Sequence, residues 1–395
     1  MKLKRNIPLM YTISSLMWGR FFIPVIALFY IASQVTLAQF ALIIGVFSLA
    51  TLLFEIPTGA LADLLGKKKT LIFSRSMYVI EIILIAFFNG FWIFLIAKII
   101  SGLGVSLSSG TTQAMRFDTL KKQGRINQYK KISGNIQVIT NISMAFVFII
   151  GAFLFTLNPK LPAIVSLPFI VLGLVLTFFL EEPYKNKKKM NMKNYWTHLK
   201  ESINYFKNAK IVKYLSIMSF FTLSAIAISL SMSSVYFEKI LIPISFIGVL
   251  AFVASMITAF TSKKADKWEE KLGEAKSLFL IQLFLVLGVF LISLMIPHYG
   301  YFLYLLIPFI SGFNGVVIGN YINHHIETSH RATLLSIKGM FGNIGIFLLF
   351  PFIGYIEKIT NFGFSFVILG IILLVGFILL YLYSKKLNLK FSKSK

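Results

Sequence analysis

The chain contains no cysteine, so neither a disulfide framework nor a thiolate metal site can form, and the redox compartment is left open. Acidic residues are scarce: 14 Asp+Glu stand against 39 Lys+Arg, and charged residues of both signs make up only 13% of 395 positions. A soluble domain needs a larger polar shell than that. No G-x-x-x-x-G-K-[ST] loop occurs, so the glycines and lysine that cradle phosphates in an ATP-driven machine are missing. Nothing resembles a nucleophile with a paired base, which argues against an enzyme. His324, His325 and Glu327 superficially resemble metal ligands, but no matching cluster accompanies them. A solvated loop is the expected reading, with no metal.

What is present in excess is apolar. Hydrophobic residues are 57% of the chain, Phe alone occurs 41 times, and the mean hydropathy is +0.81. Apolar runs of about 20 residues recur roughly a dozen times, each long enough to cross a hydrocarbon core about 30 Å thick. They predict an all-α integral membrane protein, because barrel strands would alternate and be half as long. The basic flank of "MKLKRNIPLMYTISSLMWGRFFIPVIALFYIA" suggests a signal sequence, but its apolar part is too long and no small-residue cleavage site follows. The segment is expected to remain as the first span.

Twelve spans are expected: 7–32, 37–58, 70–89, 91–115, 131–156, 162–181, 211–236, 243–262, 274–296, 299–322, 332–356 and 362–384. With both ends on one side, 32 of the 39 Lys+Arg fall in the terminal segments and even-numbered connections or within the first three residues of the span that follows. Only Lys160, Lys239 and Lys358 fall in the opposite loops, and Arg20, Arg75, Lys98 and Lys338 lie inside spans. This asymmetry predicts cytoplasmic termini in a cell membrane. It also disposes of a nucleic-acid reading of the formal charge of +25, since lysines at an anionic leaflet account for it.

Three regions are expected: a six-helix bundle over 1–181, a basic cytoplasmic linker over 182–210 and a second six-helix bundle over 211–395. Within the linker, Trp196, Leu199, Ile203 and Phe206 recur at helical spacing and predict an amphipathic helix on the membrane surface. The two bundles echo each other. "ALADLLGKKKTL" has a counterpart in "KKADKWEEKLGEAKSL", aligning Asp63 with Asp266, and "KKISGN" matches "LLSIKGM", pairing Gly134 with Gly339. Two matches at nearly one offset point to a duplicated architecture, as in many secondary transporters.

The segment "GALADLLGKKKTL", Gly59 to Leu71, resembles the G-x-L-x-D-x-x-G-R-K signature between spans 2 and 3 of the major facilitator superfamily, and stands at that place. Gly59 permits close helix approach, Gly66 a tight reversal, and Lys67, Lys68 and Lys69 pin the turn to the cytoplasmic face. The resemblance implies that Asp63 faces the start of span 11 at Arg331 as a gating latch, with Arg116 and Asp118 at the foot of span 4 nearby. "LIAKIISGLG" resembles the family's R-x-x-x-G-x-G segment, with Lys98 in the arginine position. Together, "EIPTG" and "SSGTTQAMRFDTL" resemble the drug-efflux and macrolide-efflux-like branch. The proline-glycine stretch typical of antiporters is reduced to Gly151 in span 5.

Ionisable side chains inside a membrane each need a partner, a water path or a function. By helical rise, Arg20 and Glu81 fall near mid-depth, Lys98 somewhat outward, and Arg75 and Glu55 toward the cytoplasm. Glu81 is the candidate proton carrier, with Arg20 or Lys98 as its cation; a permanent ion pair is the competing reading. Glu55 and Arg75 are expected to be structural. In the second half, Asn314 and Asn320 are the polar cavity candidates. The expected function is proton-driven export of an amphipathic organic compound, such as a drug or metabolite, by a monomer that needs no cofactor beyond the proton gradient. Uptake of a nutrient, and lipid handling or signalling without ion coupling, are the alternatives.

Overall fold

The computed structural model describes residues 2–184, 206, 209–325 and 331–386; side chains are described for these except at 2, 56–57, 59–64, 322–325 and 331–336. The expected linker helix around Trp196, Leu199 and Ile203 lies outside the described residues. All regular structure among the described residues is helical. The helices are α1 (Asn6–Leu16), α2 (Ile26–Ala32), α3 (Leu37–Leu65), α4 (Lys67–Phe87), α5 (Phe91–Ser108), α6 (Thr111–Lys122), α7 (Tyr129–Leu157) and α8 (Leu161–Phe178). They continue as α9 (Lys210–Ser231), α10 (Ser233–Lys239), α11 (Ile244–Leu272), α12 (Glu274–Ser293), α13 (Gly300–Tyr304), α14 (Leu306–His325), α15 (Arg331–Ile359) and α16 (Phe362–Lys386).

Among the described residues, eleven helical segments are long and apolar enough to cross a membrane. The shortfall from twelve has one cause, because the expected span 7–32 is broken. Its helix stops at Leu16 and resumes only at Ile26, with a single tight turn over Ile23–Val25 between. Pro24 has no amide hydrogen to donate, and the Phe21 amide leaves the ladder to donate to Ser166 Oγ of α8 at 2.9 Å. A side-chain acceptor from a neighbouring helix thus satisfies backbone that would otherwise be unpaired inside the bilayer.

Two other expectations shift at their ends. α3 runs through the signature segment to Leu65 rather than stopping near 58, and Gly66, at φ +86°, makes the reversal alone. The expected span 91–115 lies within the apolar segment Phe91–Lys122, which is interrupted after Ser108, where Gly110 at φ +58° starts a separate helix, α6.

The chain divides into two compact units. One comprises Met1–Thr36, Val46–Met192 and Ile244–Val249; in it α4 packs along α5 and α8. Its lysine-rich end is closed by an apolar cluster that includes Ile7, Met10, Leu71, Met115 and Ile132. Asn6 ties that end together by donating to Thr119 Oγ1 and to the Glu181 carbonyl, while accepting from the Glu181 amide. The other unit comprises Leu37–Gly45, Lys193–Pro243 and Leu250–Lys395; in it α9 packs along α15, and α12 along α16.

Corresponding helices repeat in length. α3 and α11 each have 29 residues and end at a left-handed glycine, Gly66 or Gly273 at φ +75°. α7 and α15 also have 29 each.

Candidate functional site

The first unit holds a cluster of charges in its membrane core. α4 presents Glu81 with no exposed surface. Lys98 of α5 donates to Glu81 Oε1 at 2.7 Å, and Ser101, almost one turn further along α5, donates to Oε2 at 2.7 Å. Arg20, from the broken stretch between α1 and α2, brings Nη1 to 3.7 Å from the same Oε2. The structure therefore brings the three candidate coupling residues together, with both cations on one carboxylate. Ser101 was not expected, although its place three residues after Lys98 on α5 could have indicated it.

Aromatic rings line the cations. The Arg20 guanidinium sits 4.3 Å from the centre of the Tyr78 ring, and that of Arg75 lies 5.7 Å from the same centre. Lys98 Nζ lies 5.8 Å from the Phe22 ring and 5.6 Å from that of Phe47. Cation–π contacts of this kind strengthen where water is excluded. Arg75, expected to be structural, is buried beside Tyr78, three residues further along α4. The Nε atoms of Arg20 and Arg75 are buried without a hydrogen-bond partner among the described residues. Two cations, Arg20 and Lys98, thus converge on one acid, and Arg75 joins Arg20 at the Tyr78 ring.

The break in the first span is what aims Arg20 inward. Gly151 of α7 makes the break possible: a Cβ at that position would collide with the Phe21 carbonyl oxygen. The single glycine left from the antiporter pattern thus has a packing role against the unwound backbone.

At the signature turn, three lysines open α4, where the positive end of the helix dipole disfavours them. Glu182 answers this by accepting the amides of Lys67 at 3.2 Å and Lys68 at 2.7 Å, and Lys67 forms an ion pair with Asp118. Glu182 was missed because it lies 115 residues along the chain from Lys67. Arg116 donates to Ser133 Oγ at 2.9 Å. The side chains of Gly59, Asp63 and Arg331, and the His324, His325 and Glu327 set, lie outside those described, so the latch stays a proposal. Lys69 is exposed at the turn.

In the second unit, Asn314 is buried with its Oδ1 unpartnered among the described residues. Asn320 donates to Asp266 Oδ1 at 2.9 Å, and Tyr321 donates to Glu269 Oε1 at 3.0 Å. The residue aligned with Asp63 thus holds one of the two asparagines picked as cavity groups. No group of three or more His, Cys, Asp or Glu suited to a metal occurs among the described residues.

Solved structures share this fold. The nucleoside transporter NupG superposes with a TM-score of 0.80 at 13% identity, covering 99% of this chain and 100% of that one. A D-xylose-proton symporter gives 0.75 at 14%, covering 95% and 97%. In sequence, the chain is 25% identical over 376 residues to the uncharacterized MFS-type transporter YxaM of Bacillus subtilis (strain 168), covering 91% of this chain and 90% of that one. It is 22% identical over 389 residues to the uncharacterized MFS-type transporter MJ1560 of Methanocaldococcus jannaschii, covering 94% and 93%. None of these four carries a drug- or macrolide-efflux description, so that branch gains no support from them. The family model of the Major Facilitator Superfamily matches residues 9–323, which is most of the chain; this membrane transporter therefore belongs to the major facilitator superfamily.

Proposed function

We propose that the chain is a proton-coupled secondary transporter whose cargo is a small organic anion. The observation that carries this reading is the buried cluster in which Arg20 and Lys98 both face Glu81, while Arg75 shares the Tyr78 ring with Arg20. With Glu81 ionised, the two cations that face it keep one uncompensated positive charge in a low-dielectric core, with the further cation Arg75 beside the same Tyr78 ring. Such charge is costly unless an anion joins it. Arg20 is the member best placed to meet cargo, since 17% of its side chain stays exposed against 8% for Lys98 and none for Glu81.

Coupling follows from competition for the same cations. An anion at Arg20 and Lys98 takes over the counter-charge role of Glu81, which is then free to accept a proton. Cargo and proton load together, and their shared departure resets the carboxylate onto Lys98. This scheme is symport. The export by proton exchange expected from the sequence requires the opposite sign of proton movement.

One measurement separates the readings. Proteoliposomes containing a pH-reporting dye are presented with matched solutes: gluconate against glucose, and uridine monophosphate against uridine. Protons are expected to enter with the charged member of a pair, and Glu81→Gln should abolish that entry while leaving exchange of the charged solute across the membrane. Proton exit on solute entry supports exchange instead. Solute movement without proton movement in either protein removes the coupling, and preference for the neutral members removes the anion. If no solute moves at all, the non-transport alternative of lipid handling or signalling gains.

A further inference from the structure

On the second unit, α9, α12 and α16 enclose a groove of about 950 Å³. Three helix ends meet at its mouth: the start of α9 at Lys210, the start of α12 at Glu274 and the end of α16 at Lys386. Lys276 and Lys385 line that mouth together with Ser384 and Tyr381, and no acidic side chain lines the groove. Lys385 Nζ lies 4.7 Å from the centre of the Tyr381 ring. Below the mouth the walls become apolar, through Phe279, Leu283, Val286, Leu374 and Phe377.

The depth and the opening of the groove define the ligand. From Lys276 to Val286 is ten residues and from Lys385 to Leu374 is eleven, so each wall descends about 15 Å at 1.5 Å per residue. Half of a 30 Å hydrocarbon core is the same distance. The groove therefore runs from the membrane interface to about the bilayer midplane, the depth of one leaflet. Its rim is exposed, with Phe279 58%, Leu283 38% and Ile378 50% accessible, so it opens sideways into lipid. On its floor Gln282 donates to the Tyr214 hydroxyl at 3.2 Å, which puts a polar step about 9 Å below Lys276.

We propose that this groove is a binding site for an anionic glycerophospholipid, with its phosphate between Lys276 and Lys385 and an acyl chain along Phe279, Leu283 and Phe377. Basic pockets between spans are the known setting for such headgroups, and each lysine near the surface adds to the attraction. The hydroxyls of Ser384 and Tyr381 can donate to phosphate oxygens that the lysines neutralise. A soluble phosphate would gain nothing from the apolar walls, so the lipid is the better-matched occupant. The site is independent of the charge cluster and of any transported solute.

The test uses the full chain released from detergent and examined by native mass spectrometry, with phosphatidylglycerol and phosphatidylcholine of identical acyl chains added in competition. Phosphatidylglycerol is expected to be retained in preference. The preference should fall about tenfold in Lys276→Gln/Lys385→Gln, but not in Lys239→Gln/Lys358→Gln at the opposite membrane face. Leu283→Trp, which fills the groove and keeps both lysines, should reduce retention of both lipids by displacing the chain. Equal retention of the two lipids by the native protein overturns the proposal, as does an undiminished preference in the Lys276/Lys385 variant. Should that variant fail to stay monodisperse, undiminished retention in Leu283→Trp overturns it alone.

Discussion

Glu81 is held from three directions, and its partners are not equivalent. Lys98 and Ser101 make contacts of hydrogen-bond length, whereas Arg20 stands a full ångström further away. The short contacts fix the carboxylate, and the long one leaves the guanidinium able to turn toward something else. Removing one partner of a buried pair typically costs about 3–5 kcal/mol, because the other charge is left stranded. That cost makes Glu81 a group on which the fold depends. A half-buried cation, Lys160, lies outside the spans and makes a sharper pH test. Lys160, between α7 and α8, donates to the carbonyls of Ile85 at 2.9 Å and Phe88 at 2.7 Å, with the Phe29 and Phe94 rings each 5.2 Å from Nζ. Burial lowers its pKa from the ordinary 10.5 to about 8. Between those values the unfolded chain holds more protons than the folded one, so stability rises with pH in that window and is flat below it. The difference in Tm between the native protein and Lys160→Met should therefore grow in favour of the native protein from pH 8 to pH 10. A difference that stays constant over that interval shows that the ammonium is not desolvated.

Elements end where backbone chemistry forces them to, and that decided which boundaries were legible. Hydropathy marks where a run begins and fades, so the cores of α4, α7, α8, α12 and α16 fall where the sequence puts them. It does not register a break within an apolar run. "MWGRFFIP" reads as continuous grease with one arginine, yet the helix stops there because Pro24 withholds an amide and Ser166 captures that of Phe21. Gly19 and Pro24 were visible signals of this break, but the captor came from 145 residues away. The α3–α4 turn shows the same division. Gly66 was legible as the reversal, but Glu182, which accepts two amides at the start of α4, was not. Both features can be weighed. Replacing Glu182 by Gln keeps one acceptor, turns the other oxygen into an amide nitrogen that cannot accept, and removes the charge that offsets three lysines at a helix N-terminus; it should cost about 1 kcal/mol or more. Gly66→Ala forces a side chain into left-handed backbone facing Glu182, and should cost about 1 kcal/mol or more. Both should lower Tm in detergent, with the Glu182 effect shrinking at high salt. A Glu182→Gln protein as stable as the native one at every salt concentration would show that neither the charge nor the second acceptor oxygen stabilises the turn.

Across the whole chain, the property read most directly from sequence is where the lysines go, because it depends on the bilayer and on no partner residue. Within the first unit, the lysines that open α4 and Lys160, which reaches the carbonyls at the other end of α4, stand at opposite ends. The positive-inside rule predicts that the lysine-rich end is the cytoplasmic one. Since the chain has no native cysteine, each side can be interrogated by one introduced thiol without background. Lys121→Cys, in the last turn of α6, and Lys160→Cys, before α8, lie on opposite sides in this topology. In intact cells a membrane-impermeant maleimide should label the Lys160→Cys protein and leave the Lys121→Cys protein unlabelled until the membrane is permeabilised. The reverse pattern would invert the orientation. Labelling of both in intact cells would place the two lysines on one side, and then neither the span count nor a carboxylate such as Glu81 buried between two aqueous faces could stand.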